Sequence, residues 1–153
     1  MNSFIKKENI FDGYLVLRMP SKPFDKRIFL AEDDIDDQEF LTEALLNIDE
    51  TVRVHTEKSG DKAVRYLETI SDEHLPCLIV LDYNLPLISG HQILQNIQNL
   101  DRYKNIVKVV WSTSNSPHYE KACIESGARA YFVKPADIAG IKTLAEKMLD
   151  FCK

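Results

Sequence analysis

Glu32, Asp33 and Asp34 stand together; Asp82 ends one apolar run, Ser112 and Thr113 end another, and Lys134, followed by Pro135, ends a third. Carboxylates crowded into one place repel one another and invite a hard divalent cation. Mg2+ suits such a set, because it takes oxygen ligands and keeps part of its water. A carboxylate where a strand runs into a loop can serve as a nucleophile, and aspartyl-phosphate is a known covalent species. A lysine and a hydroxyl can hold the oxygens of a transferring phosphoryl group, a reaction governed by positioning and charge neutralisation.

Each residue also has a plainer explanation. Acids from Glu32 to Glu39 suit a solvated helix start, where carboxylates meet the positive end of the dipole. That reading is taken for Asp34, Asp36 and Asp37, whereas Asp33 directly follows an apolar strand and is read as a metal ligand. An Asp after a strand is often a turn residue, and a Ser can merely satisfy nearby backbone groups. His55, His74, His91 and His118 show no ligand spacing and are given no role.

The elements that must position these residues follow from periodicity. Arg27 to Ala31 is a short apolar strand, and Phe40, Leu41, Ala44, Leu45 and Ile48 repeat at helical spacing. Val52 and Val54 alternate with polar residues, as near a sheet edge. Ser59 is placed to cap a helix carrying Ala63, Val64, Leu67 and Ile70. Cys77 to Leu81 is continuously apolar, as a central parallel strand is. Ile93, Leu94 and Ile97 mark a third helix and Ile106 to Trp111 a fourth strand, interrupted by Lys108. Ser116-Pro117 opens a helix that ends at Gly127, Ala130 to Val133 forms the last strand, and Ile138, Ile141, Leu144, Ala145 and Met148 the last helix. Strict alternation of five strands and five helices predicts a three-layer α/β fold with a parallel sheet. Ligands in such folds sit beyond the carboxyl ends of the strands, where all the residues named above fall.

Residues 1–25 carry four cations and three anions, against −5 for the whole chain, and are read as an N-terminal extension to a domain at 26–153. Phe11 to Leu17 suits one extra strand after a turn at Asp12-Gly13, or a mobile arm, and Met19 an alternative start. The acidic balance and the lack of a basic cluster argue against nucleic-acid binding. No apolar run is long enough to cross a bilayer, and no signal-peptide core precedes the domain. Three distant cysteines, Cys77, Cys123 and Cys152, predict reduced thiols and a cytoplasmic protein.

Ile28-Phe29-Leu30-Ala31-Glu32-Asp33-Asp34, Leu81-Asp82-Tyr83-Asn84-Leu85-Pro86-Leu87-Ile88-Ser89-Gly90 and Tyr131-Phe132-Val133-Lys134-Pro135 closely resemble the receiver domains of two-component response regulators, of the stand-alone, chemotaxis-regulator-like kind. The resemblance covers residues 26 to about 150 and implies a flavodoxin-like sheet of strand order 2-1-3-4-5. It implies that Asp82 accepts the phosphoryl group, that Asp33 binds Mg2+ directly and Glu32 through water, and that Asn84 gives the metal its backbone carbonyl. Ser112, rather than Thr113 when counted back from Lys134, matches the hydroxyl that bonds a phosphoryl oxygen, and Lys134 the lysine that pairs with the group. A cis Lys134–Pro135 peptide is implied as well. Tyr131 matches the aromatic that turns inward when the hydroxyl moves, although a half-buried sheet position explains it equally. Three departures are mild: Glu32 where Asp is common, Ser112 where Thr is more frequent, and Thr113 where a small residue often sits.

The resemblance implies a switch, not an enzyme acting on other substrates, phosphorylated by a histidine kinase with Mg2+ as cofactor. With the chain ending at Lys153 just after the last helix, output is expected through protein contact: a downstream protein, a phosphotransfer partner in a relay, or a homodimer through the face of helix four, strand five and helix five. A phosphatase with an aspartyl nucleophile is the competing reading, weakened because Asn84 stands where such enzymes carry a second acid. A flavin carrier would need a phosphate-cradling loop after strand one, where Glu32, Asp33 and Asp34 would repel it. A receiver that never takes phosphate is disfavoured by the presence of Asp33, Asp82 and Lys134 together.

Overall fold

The structure, a computed structural model, describes residues 6–11, 14–18 and 26–152. Strands β1 (Lys6–Phe11) and β2 (Tyr14–Arg18) pair antiparallel, Lys6 opposite Arg18 and Phe11 opposite Tyr14. This replaces the single strand expected over Phe11 to Leu17: the apolar residues on either side of Asp-Gly belong to two paired strands. The expected turn at Asp12-Gly13 and the alternative start at Met19 fall outside the described residues.

The remaining strands are β3 (Lys26–Ala31), β4 (Val52–Glu57), β5 (Leu78–Asp82), β6 (Val107–Ser112) and β7 (Ala130–Val133). They form one parallel sheet in the order β4-β3-β5-β6-β7, which is 2-1-3-4-5 counted within this domain. Helices α1 (Ile35–Ile48), α2 (Gly60–Thr69), α3 (Gly90–Gln98) and α4 (Pro117–Glu125) connect them, and α5 (Ile138–Asp150) follows β7. Successive side chains of a strand point to opposite faces, so each central strand feeds two cores. Ile28, Leu30, Val80, Val109 and Trp111 pack with Leu41 and Leu45 of α1 and with Leu144 and Met148 of α5. Phe29, Ala31, Ile79, Leu81 and Val110 pack with Leu67 of α2, Ile93 and Ile97 of α3, and Cys123 of α4. Every residue of β5 is buried, as its unbroken apolar run predicts.

The helix starts follow their local chemistry with one exception. Asp34 accepts from the Asp37 N–H, Ser89 forms a reciprocal capping box with Gln92, and Ser116 accepts from the Tyr119 N–H with Pro117 in the first turn. Ser59 holds the cap position of α2 but its side chain makes no capping bond. Gly127 takes φ 104° just beyond α4, a conformation that favours glycine. Phe40, Ile48 and Ile138, assigned to apolar helix faces by spacing, are exposed. Among the described residues, no helix is long and apolar enough to cross a membrane.

The expectation of three reduced thiols is overturned. Cys77, just before β5, and Cys152, just after α5, are joined as a disulfide with Cα atoms 5.1 Å apart, and only Cys123 is free. Their separation of 75 residues hid the pairing; packing α5 back along the sheet brings the two together.

Candidate functional site

The parallel register delivers the polar residues to one rim. Ala31 pairs with Leu81, Asp82 with Trp111, and Ser112 with Val133, so Glu32, Asp82, Ser112 and Lys134 arrive at neighbouring strand ends. Backbone bonds continue past the strands: the Tyr83 N–H donates to Trp111 O at 3.1 Å and the Lys134 N–H to Ser112 O at 2.7 Å.

Asp82 is fixed from behind by a close backbone approach. A Cβ on Gly90 would lie 2.3 Å from the Asp82 carbonyl oxygen, so only glycine lets α3 begin there. Gly60 has the same constraint against Ile88 O, at 1.9 Å, and ties α2 to the loop after β5. In that loop Leu87 takes φ 71°, the left-handed region a leucine rarely enters, with its side chain exposed.

Lys134 occupies the centre. Its Nζ lies 2.7 Å from Glu32 Oε1, 2.8 Å from Asp37 Oδ2 and 3.4 Å from Asp82 Oδ2, and 4.8 Å from the centroid of the Trp111 ring. The implied cis bond before Pro135 is not found; the Lys134–Pro135 peptide is trans. Trans remains the favoured form by about 0.5–1 kcal/mol, and the three carboxylates suffice to aim the side chain inward.

Glu32 is fully buried, Asp82 and Ser112 are buried, and Asp33 is exposed. One carboxylate oxygen from each of Glu32, Asp33 and Asp82 lies within 4.8 Å of the other two. The Asn84 N–H donates to Asp82 Oδ1 at 3.1 Å, and the Asp34 N–H to Glu32 Oε2 at 3.0 Å. Burial pushes the Glu32 carboxyl up to about 8; its contact with Lys134 pulls down, and Asp82 beside it pushes further up. Burial also raises Asp82, against the pull of Glu32, Lys134 and the Asn84 N–H. For Lys134, burial works against the charge, but Asp37, Glu32 and Asp82 outweigh it and hold the amine above the ordinary lysine value. Among the described residues, the rim therefore gathers more acidic groups than Lys134 can neutralise. Three clustered oxygen donors with that excess fit a hard divalent ion such as Mg2+ or Mn2+.

A polar thread leaves the site toward α4. The Ser112 hydroxyl accepts from the Ser114 N–H at 3.1 Å, and the half-buried Tyr131 donates its hydroxyl to Ser114 O at 2.8 Å. Tyr83, next to Asp82, stacks on Tyr119 of α4 with centroids 4.3 Å apart. Asp37, Trp111, Tyr83 and Tyr119 were not singled out for the site from sequence. By sequence Asp37 suits a solvated helix start and Trp111 ends an apolar strand; only the fold shows that Lys134 touches both.

A parallel five-stranded α/β sheet with this rim defines a class: the chain belongs to the response regulator receiver domain family, whose model matches residues 28–146. It is similar to the two-component response regulator ORR7 of Oryza sativa subsp. indica, 30% identical over 99 residues that make up 65% of this chain and 48% of that protein. It is also similar to the two-component response regulator ARR7 of Arabidopsis thaliana, 27% identical over 130 residues, 80% of this chain and 62% of that one. The chain thus spans about half to three-fifths of the length of these two relatives. Among solved structures, the phosphorylated cyanobacterial phytochrome response regulator RcpA matches with a TM-score of 0.76 at 30% identity, over 82% of this chain and 92% of that one. The Mn2+-bound form of response regulator Rcp1 matches with a TM-score of 0.73 at 26% identity, over 82% and 93%.

Proposed function

We infer that residues 26–153 form a phosphorylation-controlled switch whose acceptor is Asp82, with residues 1–25 as an extension. The observation that carries this reading is the meeting of a buried Asp82, a lysine 3.4 Å from it and two further acids at one rim of the sheet. An Asp82 oxygen attacks phosphorus in line; the new O–P bond forms as the N–P bond of a phosphohistidine on a histidine kinase breaks. Lys134 and Ser112 receive the phosphoryl oxygens. Asp33, Asp82, Glu32 through water and the Asn84 carbonyl would hold Mg2+, which supplies charge neutralisation at the acceptor. Ser112 then shifts toward the phosphoryl group, the Ser112–Ser114–Tyr131 thread follows, and the face of α4, β7 and α5 changes shape for a protein partner, with a second copy of the chain one candidate. The chain catalyses only its own phosphorylation and dephosphorylation, in the cytoplasm. RcpA, in its phosphorylated form, and Rcp1, with Mn2+ bound, support the reading as relatives on the same fold.

The test is intact-mass analysis after incubation with acetyl phosphate and Mg2+, alongside Asp82→Asn. One added phosphoryl group in the wild type, absent from the variant, is expected. Equal labelling of the two would remove Asp82 as the acceptor, and turnover of a small phosphate ester would favour the phosphatase reading.

A further inference from the structure

We propose that Asp37 is a positioning residue that competes with the phosphoryl group on Asp82 for the Lys134 ammonium, acting as a brake on the phosphorylated state. The proposal rests on the reading of Asp82 and Lys134 given above and adds a residue to it.

The geometry is specific. Lys134 Nζ has three donors and meets three carboxylates, but unequally: Glu32 at 2.7 Å, Asp37 at 2.8 Å, and Asp82, the group to be esterified, only at 3.4 Å. Glu32 is fully buried and lies within the carboxylate cluster. Asp37 lies outside that cluster, on the first turn of α1, with 31% of its side chain exposed. Its backbone N–H is the group that Asp34 caps, so changing its side chain leaves the helix start intact. The short contact with Lys134 therefore does two things. It occupies a donor that a phosphoryl oxygen would otherwise take, and it adds a negative charge beside an incoming dianion. Both raise the energy of the phosphorylated state relative to the free one. Lys134 does not need Asp37 to stay in place, because Glu32 and the Trp111 ring hold it from other sides.

The experiment compares wild type, Asp37→Asn and Asp37→Glu. Each is incubated with acetyl phosphate and Mg2+, the phosphorylated fraction is read by intact mass, and decay is followed after EDTA is added and the donor removed. Asp37→Asn keeps the shape and loses the charge; it should raise the phosphorylated fraction and lengthen the half-life in EDTA, each by about threefold, the scale of a partly exposed ion pair. Asp37→Glu restores the charge within reach of Nζ and should return both toward wild type. The gain should shrink in high salt, since a partly exposed charge is screened. A merely structural role, such as favouring the helix dipole, would lower the melting temperature without moving either readout. Unchanged or reduced labelling and half-life in Asp37→Asn overturn the proposal. Asp82→Asn, run in parallel, separates the two claims: if it is labelled, the acceptor assignment fails, whereas equal behaviour of wild type and Asp37→Asn with an unlabelled Asp82→Asn sinks only the brake.

Discussion

The two ends of the same sheet are built on opposite principles. At the amino ends of the strands, buried and charged groups among the described residues are held in pairs. Lys26 pairs with Asp49 at 2.8 Å, Cys77 is bonded to Cys152, the buried Lys108 amine donates to Tyr103 O, and the Tyr103 hydroxyl donates to Leu67 O. Lys26 and the hydroxyl and N–H of Thr51 hold Asp49 down to about 2. At the carboxyl ends, Glu32, Asp37 and Asp82 share Lys134, Asp33 joins Glu32 and Asp82 in one carboxylate cluster, and burial holds Glu32 and Asp82 high. One end is electrically settled and holds the fold. The other is left in deficit, and that deficit is what a divalent ion can relieve.

The contrast breaks if substitutions at the two ends act alike, and the largest effect should come from the settled end. In non-reducing buffer, Cys152→Ser opens a closure of 75 residues, worth about 4 kcal/mol on a chain-entropy account. Urea unfolding should show that loss while phosphoryl labelling stays at the wild-type level. At the deficit end the sign reverses. In EDTA, Asp82→Asn removes a buried charge from an overcrowded set and should stabilise the fold by about 1–2 kcal/mol in the same assay, while abolishing labelling. A destabilised Asp82→Asn would mean that the acids are already balanced.

The acidity of Glu32 sharpens the comparison further. Its carboxyl titrates near 4.5 when unfolded and near 8 in the fold, so between those values the folded chain binds more protons than the unfolded one. Stability in EDTA must then fall as pH rises through this window, by at most about 1.4 kcal/mol per pH unit. Glu32→Gln should flatten that slope. Asp49 has the opposite sign: the stability it provides is present above about 4 and is lost as pH falls toward about 2. The smallest effect is optical. Trp111 is the one tryptophan of the chain and lies under Lys134, so titrating Mg2+ into the protein should change its fluorescence by redistributing the charge above the ring. No change with Mg2+ would indicate that the cation does not bind near Lys134.

Much of this was legible because strands announce themselves. The unbroken run from Cys77 to Leu81 could only be a central strand, and the residue after it had to emerge at a rim. The same logic placed Asp33, Ser112 and Lys134. What spacing could not show was contact across the chain. Asp37 looks like any acid in a first helical turn, and its contact with Lys134 joins residues 97 positions apart. Phe40, Ile48 and Ile138 have core-like periodicity yet stay exposed, because Leu41, Leu45 and Ile141 already fill the space between α1, α5 and the sheet. Cys77 and Cys152 show the converse: 75 residues apart in sequence, they lie with Cα atoms 5.1 Å apart in space.

The Cys77–Cys152 bond also divides the site along covalent lines. Asp82, Ser112, Tyr131 and Lys134 all lie on the stretch it encloses, whereas Glu32, Asp33 and Asp37 lie outside it. A single proteolytic nick at an exposed point of that stretch, such as Asn99, would leave both fragments tethered. The acceptor and the lysine that steadies it would still travel as one molecule until a reductant released them.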